Sequence, residues 1–139
     1  MIIGGVAVEH PTGPVAHSDG DVLLHAVTDA LLGAIAQGDI GELFPDDDPA
    51  NDGRDSADFL REAVRRVHHA GFRVVNLDGT VVAERPKLKP IRHAVRANLA
   101  RLLEVPQDCV HVKGKTHEGV DAVGRGEAIE AYVTTLLQG

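Results

Sequence analysis

The stretch AHSDGDVLLHAVTDALLGAIAQGDIGELFPDDD, Ala16 to Asp48, decides how this chain is read, because it puts polar groups into an otherwise apolar helix. From Val22 to Ile35 apolar residues surround the helix, yet Asp21, His25 and Asp29 recur at i, i+4 and i+8 and make one polar stripe. A histidine between two carboxylates can have its ring held by one of them, leaving the other ring nitrogen for a metal. The alternative is a core histidine satisfied by Asp21 or Asp29. Ser18, with Asp21 three residues on, reads as the N-cap of this helix in a capping-box arrangement, and Gly38 reads as its stop. That places His17 and Ser18 at the positive end of the helix.

Working outward, a second helix is predicted from Ser56 to Ala70, capped by Asp55 or Ser56 and stopped by Gly71. Phe59, Leu60, Ala63, Val64 and Val67 form its apolar face. Phe72 to Ala83 has strand composition. Its Asp78-Gly79 pair is an ordinary hairpin signal, or else marks a bulge or a close backbone approach within one continuous strand. Pro90 opens a third helix through Leu103, with Ile91, Val95, Leu99 and Leu102 inward. Val110 to Lys113 and Ala128 to Leu137 are predicted strands, the latter with Ile129, Ala131 and Val133 on one face. Strands and helices mixed in this order predict an α+β sandwich with helices on one face of a sheet.

At 139 residues and 43% apolar, the chain has the size of one domain, residues 1–139, and no linker or repeat divides it. The single cysteine, Cys109, excludes an intrachain disulfide and fits a reducing cytoplasm. No apolar run approaches membrane-spanning length, so a cytoplasmic protein with no membrane partner is expected. A net charge of −7, no Trp and 3% aromatics argue against a nucleic-acid partner, which needs a basic face and stacking rings. The cations are instead concentrated: Arg85, Lys87 and Lys89 in one loop, Lys113, Lys115 and Arg125 near another.

Four segments carry groups suited to a polar ligand. Asp39 to Asp48 sets carboxylates beside Phe44 and Pro45, either as a solvated acidic turn or as acceptors for sugar-like hydroxyls. In Ala83 to Lys89, AERPKLK, the proline fixes the backbone and leaves neighbouring carbonyl and N–H groups pointing outward, unless the segment is an ordinary strand-to-helix connection. Lys113 to Glu118 and Gly124-Arg125-Gly126 look like phosphate-facing loops, in which glycine permits close approach and Thr116 and Arg125 donate to oxygens.

The blocks AHSDGD, LHAVTDALLGA, GDIG, LFPD, AERPKL and GRGE, in this order and spacing across essentially the whole chain, resemble 2-C-methyl-D-erythritol 2,4-cyclodiphosphate synthases, cyclising enzymes of non-mevalonate isoprenoid biosynthesis. The resemblance implies a ferredoxin-like arrangement and a homotrimer packed around its sheets, with active sites between subunits. It implies that 4-diphosphocytidyl-2-C-methyl-D-erythritol 2-phosphate is converted to the cyclic diphosphate with release of CMP. It further implies that His17 and Thr116 stabilise the transition state and that His25 is a metal ligand. Substrate contacts are implied at His17 and Ser18, at Asp39, Ile40 and Gly41, and at Phe44, Pro45, Asp46, Asp47 and Asp48. Ala83, Glu84, Arg85, Pro86, Lys87, Leu88 and Lys89 would hold the cytosine through backbone hydrogen bonds, so that side-chain variation such as Glu84-Arg85 is tolerable. Lys115, Thr116, His117, Glu118, Ala122 and Arg125 complete the set. The implied cofactors are divalent metals, zinc at His25 and magnesium or manganese with the substrate diphosphate.

Two positions depart from the family's pattern: Lys115 stands where threonine is usual and Ala122 where a large aromatic often sits, which bears on nucleotide affinity. The family's first strand carries an Asp-x-His pair that joins the helix histidine around the metal. Here Met1-Ile2-Ile3-Gly4-Gly5 reads as the second strand with no such pair before it, so the sequence reads as N-terminally incomplete, and Glu9 and His10 are not given that role. Two rival readings follow. One is a catalytically impaired form that trimerises and binds cytidine nucleotides only; the other is an interaction protein in which His25 and the acidic loop form a structural metal or core network.

Overall fold

The computed structural model describes residues 1–139. The chain begins with a small antiparallel hairpin, β1 (Ile2–Ile3) and β2 (Val6–Ala7). Helix α1 (Val22–Ala34) follows, then a single turn, α2 (Ile40–Leu43), and helix α3 (Ser56–His69). Strand β3 (Arg73–Val82), helix α4 (Arg92–Leu103), strand β4 (Val110–Lys115), the short α5 (Asp121–Gly124) and strand β5 (Glu130–Gln138) complete the order.

Helix α3 forms as its sequence predicts. Asp55 caps it, accepting from the Ala57 N–H at 2.8 Å, and Phe59, Leu60, Ala63, Val64 and Val67 are buried. Helix α1 buries Leu23, Leu24, Val27, Thr28, Leu31 and Leu32, but both of its ends differ from the sequence reading. The N-cap is Asp21 rather than Ser18, because the turn through Gly20, with φ of 71°, delays the helix and brings the Asp21 carboxylate onto the Leu24 N–H. The helix also stops at Ala34, before Gly38, with Ala36 taking the left-handed turn at φ of 54°. Helix α4 likewise starts at Arg92 rather than Pro90 and ends on a left-handed Glu104 at φ of 59°.

The main sheet has the order β4-β3-β5, with β3 parallel to β4 and antiparallel to β5. Strand β3 runs straight through Asp78-Gly79, so the pair is no hairpin. The register shift lies at Val74/Asn76, and Gly79 is a close approach, since a Cβ there would sit 3.3 Å from Leu23. Helices α1, α3 and α4 pack on one face of this sheet, giving the mixed α+β layering read from the sequence. The other face carries Asn76, Asp78, His111, Tyr132, Thr134 and Leu136, all exposed. Lys113 belongs to that face too, with its Nζ 2.5 Å from Asp78, and so points away from the loops it was grouped with. No helix is long and apolar enough to cross a membrane.

Candidate functional site

The start of α1 is built around a buried carboxylate. Asp21, fully buried, accepts from the N–H groups of Gly4 (2.9 Å), Gly5 (2.6 Å) and Leu24 (3.0 Å), tying the N-terminal hairpin to the helix. Burial pushes its carboxyl above the ordinary carboxylate value, against the pull of those N–H groups. The next member of the stripe, His25, is held by neither Asp21 nor Asp29, for Asp29 accepts instead from the Ile40 N–H at 2.8 Å and so anchors α2. His25 Nε2 lies 2.8 Å from Ser56 Oγ and 3.2 Å from Ser18 Oγ.

Proton counting then fixes the ring. Ser56 Oγ donates to Asp19 Oδ1, and Asp19 Oδ2 accepts from the Ser56 N–H at 3.0 Å, so Ser56 has spent its only hydrogen. The hydrogen bond to His25 therefore runs from Nε2–H to Ser56 Oγ, and the Nδ1 lone pair stays out of this chain of contacts. Ser56 was read only as a helix cap and Asp19 was not singled out. Their partnership spans 37 positions of sequence, which no local pattern reveals.

His25 lines two adjoining cavities. One, of about 370 Å³, is walled by His17, Ser18, Ile40, Gly41, Phe44 and Asp46, with Asn51 and Phe59 added by the structure. The other, of about 560 Å³, brings His25 and Arg85 to one space. Segment 44–54 is tied to the residues that precede α1: the Gly53 N–H donates to the His17 carbonyl at 2.6 Å, and the Asp19 N–H to the Arg54 carbonyl at 3.2 Å. The Arg54 guanidinium stacks 5.1 Å from the Phe44 ring centroid and donates to Asn51, whose amide donates to the Pro45 carbonyl. Asp39 and Asp48 spend one oxygen each as caps, on the Glu42 and Ala50 N–H groups. Asp39, Pro45, Asp47 and Asp48 line neither cavity.

A third pocket, of about 220 Å³, is formed by the other two loops. Ala83, Pro86, Lys87, Leu88, Lys89, Lys115 and Thr116 surround it, together with Arg92, which no sequence motif singles out. None of the four cations there takes part in an ion pair. The Thr116 hydroxyl oxygen accepts from the Glu118 N–H at 3.3 Å, which leaves its hydrogen for a ligand. His117 pairs with Asp121 at 2.8 Å, and this hydrogen bond holds the imidazole above the usual histidine value and the carboxyl below its own. The pair is thus fully formed between the ordinary carboxylate and ordinary histidine values, and weakens as pH rises through the raised histidine value or falls through the lowered carboxyl one. Ala122 is half-buried beside it, and Arg125 is engaged with Glu127 at 2.9 Å rather than turned to a phosphate loop.

The YgbB family model matches residues 1–138. A 2-C-methyl-D-erythritol 2,4-cyclodiphosphate synthase of Dechloromonas aromatica is 52% identical over 138 residues, covering 99% of this chain and 86% of the relative. Among solved structures, a 2C-methyl-D-erythritol-2,4-cyclodiphosphate synthase in a CDP-bound form superposes with a TM-score of 0.91 at 42% identity, covering 99% of this chain and 89% of that one. The bifunctional IspDF of Campylobacter jejuni superposes with a TM-score of 0.94 at 39% identity, and this chain spans 37% of its length. With sequence and backbone agreeing from end to end with synthases of one kind, the chain belongs to the YgbB family.

Proposed function

We propose that this protein converts 4-diphosphocytidyl-2-C-methyl-D-erythritol 2-phosphate into 2-C-methyl-D-erythritol 2,4-cyclodiphosphate and CMP. The observation that carries the reading is the match to synthases of that name over 99% of the chain, one of them solved with CDP. An oxygen of the 2-phosphate attacks the β-phosphorus, the bond from that phosphorus to the bridging oxygen breaks, and the electron pair leaves with CMP. No protein nucleophile is needed, so the site works by folding the substrate back on itself and stabilising charge.

Each loop has a part in this reading. The nucleotide lies at Ala83–Lys89 and Lys115–Glu118, where Lys87, Lys89, Arg92 and Lys115 offset its negative charge. The erythritol end lies in the cavity between His17, Ser18 and the Ile40–Asp46 segment, where Asp46 is the carboxylate in the lining; Asp39 and Asp48, each with one oxygen left over from its cap, flank that segment. His17 and Thr116 donate to the developing negative charge, Thr116 through the hydrogen it does not spend internally. The helix-free sheet face, with Tyr132 62% and Leu136 56% exposed, supports a homotrimer with active sites between subunits, and a ferredoxin-like description belongs to the same reading.

Metal fits this chain only in part. His25 offers one nitrogen, but no group of three His, Cys, Asp or Glu side chains comes together, whereas a catalytic zinc takes three protein ligands. Zinc at His25 and magnesium or manganese with the diphosphate are the metals that the resemblance implies, and when bound they would offset the charge of the diphosphate. The nucleotide assignment is tested without them: calorimetry is expected to show CDP binding at micromolar to millimolar concentration, suppressed when Lys87 and Lys115 are replaced by glutamine. Absence of binding at millimolar CDP would remove the pocket assignment.

A further inference from the structure

Glu84 sits in the loop where side-chain identity was expected not to matter, yet its carboxylate is engaged across the fold. One oxygen, Oε1, accepts from the His117 N–H at 3.1 Å and from the Gly119 N–H at 3.2 Å. These donors lie 33 and 35 positions away, so the contact joins the loop Ala83–Lys89 to the turn that follows β4. That turn needs a clamp. Glu118 is held in the left-handed region at φ of 54° and Asp121 at φ of 62°, conformations that L side chains adopt at a cost. On its other side the turn is pressed against α5, where a Cβ on Gly124 would collide with the Gly119 backbone. The turn is therefore gripped between a carboxylate and a glycine.

The consequence falls on Thr116. Its hydroxyl oxygen takes the Glu118 N–H, so the direction in which its free hydrogen points depends on where residues 117–119 stand. We infer that Glu84 is a positioning residue, which clamps the 117–119 turn and thereby aims the Thr116 hydroxyl at the reacting phosphoryl group. The inference rests on the donor role given to Thr116 above. It extends the role of this loop from holding a nucleotide by its backbone to setting the geometry of the opposite loop by a side chain.

The test compares Glu84→Ala, Glu84→Gln, Thr116→Ala and the double variant Glu84→Ala/Thr116→Ala, with kcat and KM measured separately. Amide hydrogen exchange is followed at His117 and Gly119. Glutamine keeps an oxygen able to accept both N–H groups, so Glu84→Gln should stay close to the parent in kcat and in exchange. Glu84→Ala should lower kcat roughly tenfold to a hundredfold, as small displacements of a reacting group do, and speed exchange at both amides. The double variant should be no slower than Thr116→Ala alone, since both act through one hydroxyl. Unchanged kcat in Glu84→Ala, or a double variant slower by the product of the two single effects, would overturn the inference. Full activity in Thr116→Ala would overturn the Thr116 reading itself, and is distinguishable because exchange at His117 and Gly119 still reports whether Glu84 clamps the turn.

Discussion

Asp21→Ala is expected to produce the largest loss of stability of any single substitution at the site. The side chain caps α1 and is the acceptor for the Gly4 and Gly5 N–H groups, so its removal takes away a cap and orphans two amides at once. A lost N-cap costs about 1 kcal/mol, and a buried donor left unpaired about 1–3 kcal/mol. The sum is roughly 3 kcal/mol or more, which for a domain of this size lowers Tm by roughly 10 °C. Asp21→Asn, which keeps an oxygen in place, should lose much less. Because burial raises the Asp21 pKa in the folded state, its protonation favours folding. That contribution is fully present below the ordinary carboxylate value and is lost as pH rises through the raised one, and Asp21→Asn removes the dependence. Thermal unfolding across this pH range checks both statements, and an Asp21→Ala protein within about 1 kcal/mol of the parent would contradict the role assigned to the carboxylate.

The largest effect on turnover is expected at His17 and Thr116. Each is read as a donor to charge that develops only as the phosphorus is attacked, so removing either should lower kcat while leaving CDP binding nearly unchanged. Oxyanion donors of this kind are worth ~2.7–4 kcal/mol, or roughly 10²–10³ in rate. Thermal stability should barely move in His17→Ala, since the backbone carbonyl of His17, not its ring, receives the Gly53 N–H. Steady-state kinetics with matched calorimetry separates the cases. A rise in KM with kcat unchanged would place these side chains in ground-state binding instead.

Much of the fold was legible because it follows from local patterns. The apolar spacing and Asp55 cap of α3 are complete in its own residues, and the structure reproduces them. The start of α1 was not legible, since Ser18, Asp19 and Asp21 are all competent caps. What selects Asp21 is the need of the Gly4 and Gly5 N–H groups for an acceptor, a requirement from the far end of a hairpin. The stripe Asp21, His25, Asp29 does lie along one side of α1, but its members are not wired to one another. Helix spacing puts the three on one side, while backbone amides from the hairpin and α2 claim both carboxylates, leaving His25 to Ser56. Loop motifs singled out most residues around the third pocket but could not show Arg92 joining them from α4, nor Glu84 reaching across to the 117–119 turn.

On the mechanism proposed above, the chain folds its substrate back and closes a ring between two phosphates. Phosphorus NMR of the purified protein with 4-diphosphocytidyl-2-C-methyl-D-erythritol 2-phosphate, zinc and magnesium tests it directly. The expected result is that the resonances of the linear diphosphate give way in equal amounts to those of CMP and of a cyclic diphosphate. CMP released together with an uncyclised methylerythritol 2,4-bisphosphate, or CDP bound with no CMP released from the substrate, would contradict it.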